Sequence, residues 1–128
     1  MKELTKAEEQ VMHVLWEIEK GFVNDILEHF PDPKPAYNTI STVVRILEKK
    51  GFVSHKAYGK THEYYPLVSK KDYTSNFFRG FLRNYFSNSY EALATFLAND
   101  KNVSINDLEE MKKLMEEEIQ KQKSQNNE

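Results

Sequence analysis

The sequence predicts a mostly α protein carrying one short β-hairpin, and three observations carry that prediction. Apolar residues recur at three- and four-residue steps along most of the chain. The segment 52–66 is rich instead in β-branched and aromatic residues about a glycine. Pro31, Pro33 and Pro35 interrupt the helical pattern between the second and third helices. A length of 128 residues suits one compact unit or two small ones. At 39% apolar and 30% charged, the chain can bury a core.

Thr5-Lys6-Ala7-Glu8 has the form of a capping box, in which hydroxyl and carboxylate satisfy amide protons at a helix start. Ala7, Val11, Val14, Leu15 and Ile18 then form a stripe that Met12 and Trp16 widen, with Gly21 expected to end the helix. Phe22-Val23 is expected as an extended link, and Asn24 as the cap of a brief second helix that Pro31 terminates. The prolines make a stiff connector that re-aims the chain.

A third helix is expected from about Tyr37 to Lys50, ended by Gly51, and its two faces differ. Ile40, Val43, Val44 and Leu47 form the buried stripe. The opposite side carries Asn38, Ser41, Thr42, Arg45 and Lys49, with Glu48 at its flank. Thr39 and Ser41 are poor helix formers whose hydroxyls suit either capping or contact with phosphate and base edges. Residues 52–57 and 61–66 read as strands joined at Tyr58-Gly59-Lys60, where glycine permits positive φ. Helix, helix, proline loop, helix and hairpin is the element order of a winged helix-turn-helix, with a wing sheet of two or three strands.

From Ser69 the helical period returns and becomes aromatic. Phe77, Phe78, Phe81, Leu82, Tyr85 and Phe86 crowd one face, too many apolar groups to leave in water. Tyr90, Leu93, Ala94, Phe96 and Leu97 make a second stripe. Ile105, Leu108, Met111, Leu114, Met115 and Ile119 make a third, introduced by Ser104 to Asp107. Three such helices bury little area alone, so pairing with a second copy is the expected solution. The predicted organisation is a winged helix over 1–68, a three-helix dimerisation domain over 69–121 and a frayed tail over 122–128.

The net charge of −2 conceals alternating blocks: −5 over residues 1–33, +5 over 34–75, +1 over 76–98 and −3 over 99–128. A basic middle between acidic ends suggests one face that meets a polyanion. The chain has no cysteine, which removes disulfides, thiolate metal clusters and cysteine nucleophiles. No Gly-x-Ser-x-Gly elbow, phosphate loop or His-Glu-x-x-His pattern occurs, so no enzyme is expected. His55 and His62 face each other across the hairpin near Glu63, but two or three ligands on an exposed wing make a poor zinc site, and no metal or cofactor is predicted. His13 and His29 are expected at the surface or core edge. The start, Met1-Lys2-Glu3-Leu4, lacks a signal peptide's hydrophobic region, and no stretch is long enough to cross a bilayer; a cytoplasmic protein is expected.

For the third helix, Arg45 is the strongest candidate contact, because a guanidinium makes paired bonds to guanine or clamps a phosphate. Lys56 and Lys60 at the hairpin tip are candidate phosphate contacts, with Tyr58 as a sugar or backbone donor.

Residues 4–12, Leu-Thr-Lys-Ala-Glu-Glu-Gln-Val-Met, and 38–53, Asn-Thr-Ile-Ser-Thr-Val-Val-Arg-Ile-Leu-Glu-Lys-Lys-Gly-Phe-Val, resemble the penicillinase-repressor (BlaI/MecI/CopY) family, and the resemblance spans about residues 4–119. It implies a homodimeric bacterial repressor that binds a pseudo-palindromic operator in double-stranded DNA through its third helix. Thr39, Ser41, Thr42 and Arg45 inherit contact roles by position. Many members carry a basic residue where this chain has Ser41, so the operator sequence does not transfer. Copper-responsive members end in a cysteine-rich motif that this chain lacks. In antibiotic-responsive members a sensor-linked membrane metalloprotease cuts an Asn-Phe bond in the second dimerisation helix; the corresponding junction here is Phe96-Leu97, with Asn99 the nearest asparagine. The alternative to a repressor is a winged-helix protein-interaction module that docks an acidic partner on the same basic face.

Overall fold

The computed structural model describes residues 1–126. The elements are α1 (Lys6–Ile18), α2 (Val23–Glu28), α3 (Tyr37–Lys49), β1 (Val53–Tyr58), β2 (Thr61–Pro66), α4 (Lys70–Phe86), α5 (Tyr90–Asn99) and α6 (Ile105–Asn126). Two compact units result, one ending at Phe78 and one beginning at Arg79, so α4 contributes to both. The sequence boundary at 68/69 fell instead at the start of α4.

In the first unit the capping box forms as expected: the Glu8 amide donates to Thr5 Oγ1 at 3.2 Å and the Thr5 amide to Glu8 Oε1 at 2.8 Å. Gly21 is not what ends α1. The helix stops at Ile18, with Glu19 at a positive φ of 72°. Gly21 instead exchanges backbone hydrogen bonds with Tyr64, at 2.9 and 2.8 Å, adding a one-residue bridge to the edge of the two-stranded sheet. A side chain at Gly21 would come within 2.8 Å of Ile18 Cδ1 and 3.1 Å of Asp25 Cβ, so the close approach selects glycine.

Asn24 does not cap α2 either. Phe22 holds that position, its amide donating to Asp25 Oδ2 at 2.9 Å, and Val23 is already helical. The helix finishes at Glu28, before Pro31, where Lys34 Nζ donates to the carbonyls of Glu28 and Phe30 at 2.9 and 2.7 Å. A cation at a helix C-terminus satisfies free carbonyls and the helix dipole together.

The core takes Val11, Met12 and Leu15 of α1 and Ile40, Val44 and Leu47 of α3 from the predicted stripes, although Ala7 of the α1 stripe is exposed, and adds Ile26 of α2 with Phe52 and Val53 at the hairpin entrance. Each of these core residues is at most 2% exposed. Truncating one of the larger ones to alanine should cost about 2 to 5 kcal/mol. Gly51, at φ 82°, ends α3 and turns the chain into β1. The antiparallel hairpin pairs Val53 with Pro66 through to Tyr58 with Thr61, and Gly59 takes φ 64° in its turn. Trp16 Nε1 donates to the Val68 carbonyl at 2.9 Å, and Tyr73 donates its hydroxyl to Glu9, which ties the first turns of α4 to α1. Burial and the Glu9 carboxylate push the Tyr73 phenol well above its ordinary value.

In the second unit Ser87 and Asn88 adopt positive φ, and the Asn88 amide donates to the Leu82 carbonyl at 3.1 Å, closing α4. Ser89 caps α5 through the Ala92 amide, and Ser104 and Asp107 cap α6 reciprocally. The tail expected to fray from 122 is helical as far as Asn126, and residues 127–128 lie outside the described residues. No helix among the described residues is long and apolar enough to cross a membrane.

Candidate nucleic-acid interface

The core stripe of α3 points its other side to solvent. Asn38, Thr42, Arg45 and Lys49 are all exposed and Ser41 is half-buried. At roughly 100° per residue, Thr39 falls a quarter turn away from Asn38. It lines a small depression with Pro31, Pro33 and Pro35 on the other side of the helix. Thr39 is exposed, so its hydroxyl is open to contact from solvent.

Ser41 and Arg45 share one groove of about 540 Å³ with Lys60 of the hairpin turn. Asn24, Asp25, Tyr37, Thr61, His62 and Tyr64 complete its polar lining, with Asp25 the acid among them. None of these six was assigned to this face by sequence reasoning. Only the packing of α2 and the wing against α3 brings them together; the signal available in sequence was their closeness to the predicted turn and helix start. Arg45 Nε donates to the Ser41 carbonyl of its own helix at 3.1 Å, which steadies the side chain. The two terminal guanidinium nitrogens retain the planar fork suited to a base edge or a phosphate.

At the hairpin tip Lys56, Tyr58 and Lys60 are exposed. Lys56 Nζ sits 5.2 Å from the Tyr58 ring centroid, and that ring meets Phe22 edge-on at 5.8 Å, so the wing rests on α2 through an aromatic contact. At the wing's root His55 Nδ1 lies 2.6 Å from Glu48 Oε2, and the His55 and His62 rings stack at 4.1 Å, 6° from parallel. Tyr64 packs below them. Burial, with Glu48 adding to it and Arg45 opposing, raises the Tyr64 phenol above its ordinary value. No group of three or more His, Cys, Asp or Glu side chains among the described residues is placed to hold a metal.

The residues expected at a subunit interface divide into two sets. Phe77, Tyr85, Phe96 and Met115 are 55–73% exposed, and Phe78 and Phe81 are each 37% exposed. Phe86, Leu93, Leu97, Leu108 and Met111 are half-buried. Leu82 differs from expectation: at 3% exposure it is buried within its own chain. Its place on α4 turns it inward while Phe81 and Tyr85, which pack together at 5.1 Å, stay outside.

The sequence matches the family model described as penicillinase repressor over residues 4–117, nearly the whole chain. The chain belongs to the penicillinase repressor family. Among its relatives, the methicillin resistance regulatory protein MecI of Staphylococcus aureus strain N315 is 26% identical over 114 residues, covering 88% of this chain and 93% of its own length. The penicillinase repressor of Bacillus licheniformis is 26% identical over 117 residues, with coverage of 90% and 91%. Of solved structures, the DNA binding domain of the repressor BlaI aligns with a TM-score of 0.48 and 28% identity over 57% of this chain and 94% of that one. A CopR repressor structure aligns with a TM-score of 0.44 and 28% identity over 53% of this chain and 100% of that one.

Proposed function

We propose that this protein is a homodimeric, sequence-specific DNA-binding repressor that occupies a pseudo-palindromic operator. The observation that carries the reading is the groove shared by Ser41, Arg45 and Lys60, in which the exposed face of α3 and the turn of the wing converge. In this arrangement α3 enters the major groove, Arg45 reads a base edge or phosphate, and Lys56 and Lys60 neutralise flanking phosphates. Phosphate contact supplies most of the affinity, and base contact supplies the address. Family membership supports the same assignment. Repression follows from occupancy of a promoter in the cytoplasm and calls for no catalysis.

The apolar side chains of α4, α5 and α6 serve pairing. Tyr85 at 73%, Leu114 at 66% and Met115 at 62% exposure are costly to leave in water, and a second copy covers them while setting two recognition helices over a symmetric site. Derepression in this proposal proceeds by cutting the helical unit with a sensor-linked membrane metalloprotease. The junction that the family resemblance suggests, Phe96-Leu97, lies within α5. The chain's one Asn-Phe bond is Asn76-Phe77, which lies in α4.

Selection from a random duplex library tests the proposal. Recovery of one inverted repeat, its half-sites one helical turn or a multiple apart, is the expected result. Recovery of no common motif contradicts it, and capture by an acidic protein surface in preference to duplex would favour a protein-docking role.

A further inference from the structure

We propose that the stacked His55 and His62 rings, together with Glu48, form a one-proton site that makes DNA affinity rise as pH falls. The inference rests on the DNA-binding proposal and adds a regulation of the same face.

Glu48 is the only carboxylate on α3, three residues beyond Arg45 and beside Lys49. A bare carboxylate there would repel phosphate. His55 Nδ1 lies 2.6 Å from Glu48 Oε2, and because an ionised carboxylate only accepts, the contact calls for the ring proton on Nδ1 and leaves Nε2 as the atom that takes up a further proton. Uptake converts the hydrogen bond into an ion pair and cancels the charge of Glu48. The two side chains are 29% and 32% exposed, open enough to exchange protons with solvent. The His62 ring lies parallel at 4.1 Å, and two stacked imidazolium ions would repel strongly, so the stack accommodates one charge.

The surrounding groups give the coupling its sign. From α3, the Glu48 carboxylate favours the proton and the Arg45 guanidinium opposes it. From β2, Tyr64 packs against both rings with its phenol held neutral. In the groove that His62 lines, Lys60 opposes the proton and Asp25 of α2 favours it. Phosphates arriving on this face would neutralise Arg45 and Lys60 and add negative charge. Bound protein therefore holds the proton more tightly than free protein, and by linkage the protonated form binds DNA more tightly. The range to search is about pH 5 to 8, where histidine in general can change charge.

The test is the affinity of the full chain for a random-sequence duplex, at fixed low salt, across that pH range. Wild-type affinity should weaken with rising pH, by at most about tenfold per unit because one proton is involved. H55Q keeps a donor toward Glu48 and should bind with a flattened pH profile. E48Q should bind at least as tightly as wild type at high pH, with the pH-dependent range displaced to lower pH because the imidazole has lost its carboxylate partner. Calorimetry of the wild type in two buffers of different ionisation enthalpy should independently register proton uptake, whatever the variants' folding. A wild-type profile that is flat, no uptake, or an H55Q profile as steep as wild type overturns the inference while DNA binding stands. Absence of binding at every pH overturns both.

Discussion

Lys50 Nζ lies 2.7 Å from Glu8 Oε1, so the residue that closes α3 is tied to the first turn of α1. The same ammonium reaches the Glu3 carbonyl at 3.2 Å. Among the described residues Glu8 is the one buried charged residue, 3% exposed, and its carboxylate also completes the Thr5 cap.

This pair predicts an acid dependence of stability. Burial alone would raise the Glu8 carboxyl, but the bonds from Lys50 and Thr5 outweigh it and hold the group below its ordinary value of 4.5. A depressed carboxylate contributes stability that is present above about pH 4.5 and is lost as pH falls through the folded value. Chemical denaturation of Lys50→Met should show a loss of about 1 to 3 kcal/mol at neutral pH, shrinking toward acid. An equal loss at pH 7 and in strong acid would contradict the ion pair.

Arg45→Ala should weaken binding to a selected duplex by about 1 to 3 kcal/mol and relax preference at one position of each half-site. Arg45→Lys should not restore it, since the fork geometry is lost. Competition binding against single-base variants measures both effects. A uniform loss across all sequences would demote Arg45 to a phosphate contact.

Lys56→Ala and Lys60→Ala should each weaken specific and random duplex about equally. Each should also reduce the slope of log affinity against log salt by about one. A change confined to one sequence would place these lysines in base recognition.

How much of this was legible beforehand depends on the range of the interaction. The Thr5 to Glu8 capping box, the turn at Gly59 and the amphipathic stripe of α3 are local, and each was readable. The end of α1 was not, because Glu19 takes a positive φ two residues before the glycine that sheet pairing demanded. The Lys34 cap on α2 and the His55 to Glu48 contact depend on chain reversals that no short window contains. Gln, Lys and Glu beyond residue 119 lack an apolar stripe but favour helix intrinsically, which explains the length of α6. For the candidate site, Ser41, Arg45 and Lys60 were identifiable from sequence, whereas Asn24, Tyr37, Thr61 and His62 required the packed wing.

Met115→Glu tests the pairing surface with little risk to the fold, since Met115 is 62% exposed and glutamate is a comparable helix former. Sedimentation velocity should give twice the 15.1 kDa chain mass for wild type and the single-chain mass for the variant. Single chains in both would remove the symmetric-operator proposal.

The most direct measurement is affinity for the selected inverted repeat against a scrambled duplex of equal length and composition, followed across salt concentrations. The account predicts a preference on the order of a thousandfold or more, with both affinities falling steeply as salt rises. Equal affinity for the two duplexes, or binding indifferent to salt, would contradict recognition by the Arg45 face.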